Sequence, residues 1–136
     1  MALVEVANLR VCYGRTVAVD DISFSIPAGE IFGFIGPNGA GKTSTMKVLA
    51  TLIPPASGSV TIDGHRVTRD PYAIRRVTGF MADNLGVYED LTVVEYLHFF
   101  AAAYRIVGEP RHAVVRDVLA LTDLDDKKNA KVDSLS

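Results

Sequence analysis

The sequence predicts a mixed α/β fold, with antiparallel strands first, then a strand, a glycine-rich loop and a helix, and finally a helical part. Three observations support this. Apolar and polar residues alternate over residues 3–26, as in half-buried strands. A short apolar run, residues 31–35, leads into a loop with three glycines, and a helix-forming segment, residues 45–50, follows it. Residues 92–121 carry apolar residues at helical spacing.

The composition limits the class of protein. The 136 residues correspond to one domain or a piece of one, and a hydrophobic content of 49% is enough for a core. The most apolar stretch, residues 93–104, is interrupted by charge and is too short to span a bilayer. No signal peptide is recognisable, and the single cysteine, Cys12, suits the cytosol. A net charge of −2 offers no basic surface for nucleic acid, so we expect a soluble protein that binds none.

The first strands are predicted from alternating apolar positions, with a turn at Gly14-Arg15 and another at residues 27–29. The apolar positions are Val4, Val6, Leu9, Val11, Tyr13, Ile22, Phe24 and Ile26. Residues 31–35 then form a continuous apolar run, which is typical of a strand buried on both faces.

The loop that follows, residues 36–43, reads Gly-Pro-Asn-Gly-Ala-Gly-Lys-Thr and fits the pattern Gly, four residues, Gly-Lys-Ser/Thr. Glycines allow successive backbone N–H groups to point into one concavity, and the next helix adds its unpaired donors. Lys42 is then placed to reach β- and γ-phosphates, and the Thr43 hydroxyl to ligate Mg²⁺. The sequence therefore predicts a nucleotide-binding loop.

Beyond the loop, residues 54–58 predict a turn, residues 59–62 a strand and Asp63-Gly64 a tight hairpin. Asp70-Pro71 predicts the start of a short helix, with Asp70 as its N-cap, and residues 77–81 predict a further strand.

Thr92 and Glu95 form a predicted capping box for a helix that runs to about Arg105. Its apolar face is expected to contain Val94, Leu97, Ala101 and Tyr104, with Phe99 and Phe100 also in the core. Residues 108–110 break the chain, and a second helix should bury Val114, Val118 and Leu121. Arg75-Arg76 is expected to be a solvated helix end, and the three histidines are too far apart in sequence to predict a metal site.

Several stretches resemble the ATP-binding-cassette (ABC) transporter ATPases. Besides the loop, they are Tyr13-Gly14 and residues 17–24, 29–44, 55–60 and 63–64. The resemblance implies a P-loop NTPase core with a RecA-like parallel sheet, an N-terminal antiparallel β-subdomain and the start of a helical subdomain. The expected parts are residues 1–30, residues 31–82 and residues 83–136.

The resemblance also implies an ATP and Mg²⁺ site. In the family an aromatic residue stacks on adenine, which would give this role to Tyr13, although its pattern alone predicts only a half-buried strand residue. Ala18 would lie near the base and Ser44 near the α-phosphate. The residues expected to bind ATP are Tyr13, Ala18, Gly36, Asn38, Gly39, Ala40, Gly41, Lys42, Thr43 and Ser44. The expected Mg²⁺ ligands are Thr43 and Asp83.

The sequence departs from the family pattern at two places. Where the family has a metal-binding glutamine, this chain has Asp83, which either ligates Mg²⁺ or only forms a turn. The chain ends in Leu135-Ser136, where the family's signature motif begins, and residues 118–123 do not match its catalytic strand. The Walker B strand and the switch histidine are also not found. We therefore expect an N-terminal part of an ABC ATPase that binds nucleotide and has no complete catalytic set of its own.

For the intact protein, the resemblance implies ATP-driven transport, and residues 86–97 are similar to the export branch. The expected partners are a second ATPase domain and a membrane permease, on the cytoplasmic face of the membrane. The candidate permease contacts are Phe80, Leu85, Val87 and Tyr88, which could equally pack within the domain. The alternatives are a soluble ABC ATPase without a membrane partner and a regulatory module that binds nucleotide without hydrolysing it.

Overall fold

The computed structural model describes residues 2–82, 86, 88 and 90–135. It divides into two compact units, Met1–Met81 and Ala82–Ser136. The first unit contains a four-stranded sheet and two helices, and the second contains two longer helices. The predicted mixed α/β class, with an N-terminal antiparallel sheet followed by helices, is confirmed. The predicted division at residues 30 and 82 stays a prediction.

The sheet has the strand order β2-β1-β3-β4, and every neighbouring pair is antiparallel. The strands are β1 (Ala2–Tyr13), β2 (Thr16–Pro27), β3 (Ser57–Ile62) and β4 (His65–Arg66). Both tight turns lie where the sequence predicts them. In the β3–β4 turn Asp63 and Gly64 have φ values of 48° and 76°. Positive φ at both positions is what a two-residue hairpin requires, which explains the Asp-Gly pair.

A bulge in β1 explains why its buried residues are not evenly spaced. Val6 and Leu9 are both buried although three positions separate them, and the register with β2 shifts between them. Asn8 lies in the bulge with φ of 49°, and its Nδ2 donates to Asp21 Oδ1 at 2.8 Å. On the other side β3 approaches closely at Gly58, where φ is 87° and a Cβ would collide with the Asn8 carbonyl. Only glycine fits there.

Two helices, α1 (Lys42–Leu49) and α2 (Pro71–Val77), complete the core of the first unit. Val48 of α1 and Ile74 of α2 are fully buried against the strand residues. Arg75 and Arg76 are exposed in the last turn of α2, as the sequence predicts. The Arg75 guanidinium also donates to the Oγ1 and carbonyl oxygen of Thr51 at 2.7 and 3.0 Å, which ties α2 to the second residue after α1. Asp70 precedes α2 as predicted, but its side chain makes no capping hydrogen bond.

The two predicted strands at residues 31–35 and 77–81 are wrong. Neither range forms a strand, and Val77 is instead the last residue of α2. A strand needs a neighbour for its N–H and C=O groups, and no described segment pairs with either range. Phe32 and Phe34 pack on Phe24 of β2, with ring centroids 5.2 and 5.5 Å away. Residues 31 and 35 face outward and are 100% and 97% exposed.

The second unit contains α3 (Val93–Ala103), α4 (Glu109–Leu121) and two short 3-10 turns, Asp125–Lys127 and Val132–Ser134. The predicted capping box is confirmed. Thr92 N donates to Glu95 Oε2 at 2.9 Å, and Glu95 N donates to Thr92 Oγ1 at 3.4 Å. The hydrogen bonds from the Thr92 side chain and backbone lower the pKa of Glu95. No helix in the described ranges is long and apolar enough to cross a membrane.

The buried faces of α3 and α4 match the prediction in part. On α3, Ala101 is buried and Val94 and Leu97 pack against the same cluster, as predicted, whereas Phe99, Phe100 and Tyr104 are exposed. Helix α4 buries Val115 and Leu119 in place of Val114 and Leu121. Helix α4 also begins at Glu109, so that Pro110 lies in its first turn, where a missing N–H costs nothing. The apolar residues of α4 form two overlapping stripes, and contact with α3 decides which one is buried.

Replacing Thr92 with Ala should destabilise the second unit, because the Glu95 amide loses its acceptor at the start of α3. We expect a loss of about 1 kcal/mol in the free energy of unfolding, measured by denaturant titration. Thr122→Ala is the control, since that hydroxyl caps no amide and donates to the carbonyls of Val118 and Leu119, at 2.8 and 3.4 Å, at the end of α4. The control should change the free energy by less than about 0.5 kcal/mol. Equal losses in both variants would show that the cap contributes nothing.

Candidate functional site

The glycine loop joins the extended segment at residues 31–35 to the start of α1. Gly39 and Gly41 both have φ of 83°, and Ala40 N donates to Pro37 O at 3.2 Å. This left-handed backbone is readily adopted by glycine and allows neighbouring N–H groups to converge. Helix α1 begins at Lys42, within the last two residues of the loop motif, and no side chain caps it. Its first-turn amides have no acceptor within the helix, so they are suited to bind an anion.

The side chain of Lys42 folds back over the loop. Its Nζ donates to the carbonyl oxygens of Gly36 and Pro37, at 2.6 and 2.7 Å. Both acceptors are neutral, so only the donor of these bonds is charged, whereas both partners are charged when an ammonium group binds an anion. The ammonium group therefore lies at the loop in a position from which a phosphate oxygen could replace the two carbonyls.

The end of the loop lies directly against β2. A Cβ on Gly41 would collide with the carbonyl of Ala18 and would come 2.7 Å from Cγ2 of Val19. Just beyond the loop, Thr45 is fully buried, and its N and Oγ1 donate to the Gly41 carbonyl at 2.9 and 3.0 Å. The sequence analysis missed Thr45. The sequence does contain a feature that indicates its role. Thr45 lies four residues after Gly41 and on the buried face of α1, where a hydroxyl can donate only to the backbone of the preceding turn.

The structure brings part of the predicted site together. Ala18 contacts the loop through Gly41, and Gly36 lies beside Ala40, since a Cβ on Gly36 would be 3.3 Å from that of Ala40. The Lys42 ammonium lies over the start of the loop. Four other residues in the described ranges that are predicted to bind ATP form no hydrogen bond with Ala18, Gly36, Gly41 or Lys42. They are Tyr13, Asn38, Thr43 and Ser44. The Tyr13 ring is 46% exposed, at the end of β1 opposite Thr16.

The other predicted contacts lie mainly around residues 80–88. Asp83, Leu85 and Val87 lie outside the described residues. Phe80 and Tyr88 are exposed, and the Tyr88 ring meets Phe99 of α3 edge to face, with centroids 5.1 Å apart.

A glycine loop with left-handed residues, a lysine at its end and a helix with uncapped N-terminal amides together define a phosphate-binding loop of the nucleotide-binding type. The family model described as ABC transporter matches residues 19–136. The chain belongs to this family, whose domain binds ATP.

Individual relatives agree with this. The chain is 33% identical over 136 residues to the Nod factor export ATP-binding protein I of Burkholderia lata, covering 100% of this chain and 45% of that protein. It is 40% identical over 94 residues to the daunorubicin/doxorubicin resistance ATP-binding protein DrrA of Streptomyces peucetius, covering 69% and 28%. A solved structure of the ATP-binding subunit of an ABC transporter matches with a TM-score of 0.78 and 29% identity, covering 98% and 56%. This chain therefore spans less than half of the two relatives and just over half of the solved chain.

Replacing Gly41 with Ala should damage the site more than the same change at Gly39. Both positions have φ of 83°, but only Gly41 faces a neighbour, whereas a Cβ on Gly39 meets nothing within 4 Å. We expect Gly39→Ala to cost about 1–2 kcal/mol of left-handed strain. Gly41→Ala should cost about 2–5 kcal/mol, because overpacking against β2 adds to that strain.

The measurement is the free energy of unfolding without nucleotide, compared between the two variants and the unmodified chain. If Gly41→Ala were no worse than Gly39→Ala, the loop would not rest on β2.

Proposed function

We propose that this chain is the nucleotide-binding part of an ABC transporter subunit in which ATP binding and hydrolysis drive export. The observation that carries the proposal is the position of the Lys42 ammonium over the loop, beside the uncapped amides of α1. The direction of transport is supported by the names of the relatives, which refer to Nod factor export and to drug resistance. These names also favour a transport subunit over a soluble ATPase or a regulatory module.

In the proposed complex, the β- and γ-phosphates lie on the loop amides. Lys42 exchanges its two carbonyl acceptors for phosphate oxygens, so that no charged donor is left unpaired in either state. Ser44, in the first turn of α1, lies nearest the α-phosphate. The base extends toward β1 and β2, where Ala18 contacts the loop and the exposed Tyr13 ring provides a stacking surface. The contact between Gly41 and Ala18 supports this direction for the base.

Mg²⁺ is proposed to bind between the nucleotide phosphates and the first turn of α1. Thr43 is exposed there, and a hydroxyl oxygen is a hard donor of the kind Mg²⁺ takes in place of one of its waters. Asp83 is proposed as the second protein ligand. The ion would neutralise phosphate charge, while Lys42 and the amides hold the nucleotide in place.

The proposed partners in the longer protein are a second ATPase domain and membrane permease subunits, which would hold the protein at the cytoplasmic face of the membrane. Phe80 and Tyr88 support a protein contact, because each exposes a large part of an aromatic ring. Leu85 and Val87 are proposed to belong to the same permease contact. An aromatic side chain that becomes buried at an interface contributes more binding energy than most other residue types.

The test of this function is Lys42→Ala, which removes the cation that faces the phosphates. We expect ATP binding by this chain to weaken by about tenfold or more, since a hydrogen bond to a charged group contributes about 1.5–3 kcal/mol. The dissociation constant for Mg-ATP is measured by isothermal titration calorimetry. Lys47→Ala, in the last turn of the same helix, is the matched control and should bind as the unmodified chain does.

In the longer protein, the same Lys42 variant should lose ATP-dependent export, and Lys47→Ala should keep it. Export that continues in the Lys42 variant would contradict the proposed function.

A second variant, Tyr13→Ala, tests where the base binds. Loss of stacking should weaken ATP binding by about 5- to 100-fold, because a base on an aromatic ring contributes about 1–3 kcal/mol. Tyr13→Phe should retain the affinity. Tripolyphosphate, which has no base, should bind equally to all three forms, and its weaker binding to Tyr13→Ala would indicate a damaged loop rather than a lost stacking surface.

A further inference from the structure

Two histidines meet where α3 and α4 pack together. His98 of α3 and His112 of α4 have ring centroids 5.2 Å apart and an angle of 71° between the rings, an edge-to-face contact. His98 is half-buried and lies on the side of α3 that carries Val94 and Ala101, which pack in the core of this unit. An imidazole thus occupies a position in the helix contact where an apolar side chain would be expected.

The polar atoms of this contact are poorly satisfied. Among the described residues, His98 Nδ1 and Arg111 Nε are shielded from solvent and have no hydrogen-bond partner. An unpaired buried nitrogen destabilises the folded state, and the cost is larger once the group is charged. The neutral state of His98 is therefore the one that this packing tolerates.

The charged groups around His98 also oppose its protonation. From α4 it faces Arg111 and His112, and both act on it in the same direction as burial. On α3 the ionisable neighbour one turn earlier is Glu95, whose carboxylate accepts from Thr92 Oγ1 at 2.7 Å at the start of the helix. No carboxylate of a described residue forms a hydrogen bond or ion pair with His98, His112 or Arg111.

We propose that the contact of His98 with His112 is an acid-sensitive joint between α3 and α4, which holds while the His98 ring is neutral and loosens when that ring is protonated. Protonation of His98 would place a second cation beside the Arg111 guanidinium, and no carboxylate of a described residue pairs with either group. This property belongs to the second unit and does not depend on nucleotide binding.

The direction of the pH effect follows from the lowered pKa of His98, which burial causes first and Arg111 and His112 reinforce. As the pH falls below about 6.5, the ordinary histidine value, the opened state takes up a proton before the closed state does. Stability of the helix pair is therefore full above this value. As the pH decreases from this value to the pKa of His98 in the folded state, the stability of the helix pair falls, and below that pKa it stays constant.

The experiment is hydrogen exchange of the 136-residue chain between pH 5 and pH 7.5, read by mass spectrometry as protection factors. Peptides from α3 and α4 should show an opening constant that rises by up to about tenfold per pH unit below about 6.5. Peptides from β1 and β3 serve as the internal reference and should not show this rise. Measurements above pH 5 avoid the range in which Glu95 and other carboxylates titrate.

His98→Phe keeps a ring of similar size and cannot be protonated, so it should abolish the rise. His65→Phe, at the exposed histidine of β4, is the control and should keep it. A wild-type NMR titration gives a second measurement that requires no variant to fold, and the midpoint of His98 should lie below 6.5, the ordinary histidine pKa. A His98 midpoint at or above 6.5, or an unchanged pH profile in His98→Phe, would overturn the proposal.

Discussion

The close contact between Gly41 and the Ala18 carbonyl determines where the loop lies on the sheet. It can form only because Gly41 has no side chain and because β2 presents Ala18 at that point. The position of Ala18 is set in turn by the register with β1, in which the buried Val11 pairs with the buried Val19. A slip of one residue would turn Val19 to the opposite face of the sheet. The same apolar packing that stabilises the sheet therefore also places the loop.

The loop combines two kinds of polar groups that suit opposite charges. Its carbonyl oxygens at Gly36 and Pro37 hold the Lys42 ammonium, while the first-turn amides of α1 have no side-chain cap and are suited to bind an anion. Thr45 reinforces the join between loop and helix from the buried side, through its two bonds to the Gly41 carbonyl. These bonds hold the end of the loop and the start of the helix together without any contribution from the Lys42 side chain.

Local patterns in the sequence predicted the elements that depend on local interactions. The alternation over residues 3–26, the Asp63-Gly64 turn and the Thr92 capping box are all found, since neighbours in sequence determine them. The strand at residues 31–35 was predicted wrongly, because pairing depends on segments distant in sequence. The buried face of α4 depends on α3 in the same way. In the site, the glycine-lysine motif of the loop identified Lys42. The contact of Gly41 with Ala18 depends on how the loop packs on β2, and the motif alone does not predict it.

The two-residue turn between β1 and β2 also has a consequence for the order of folding. All contacts of this hairpin lie within residues 2–27, and hairpins form in about 1–10 μs. During synthesis at about 5–20 residues per second, residues 28–41 take on the order of one second to follow. We therefore expect β1 and β2 to sample their final register many times before the glycine loop is synthesised. Strand β3 follows later and adds the third strand that an isolated hairpin needs for stability.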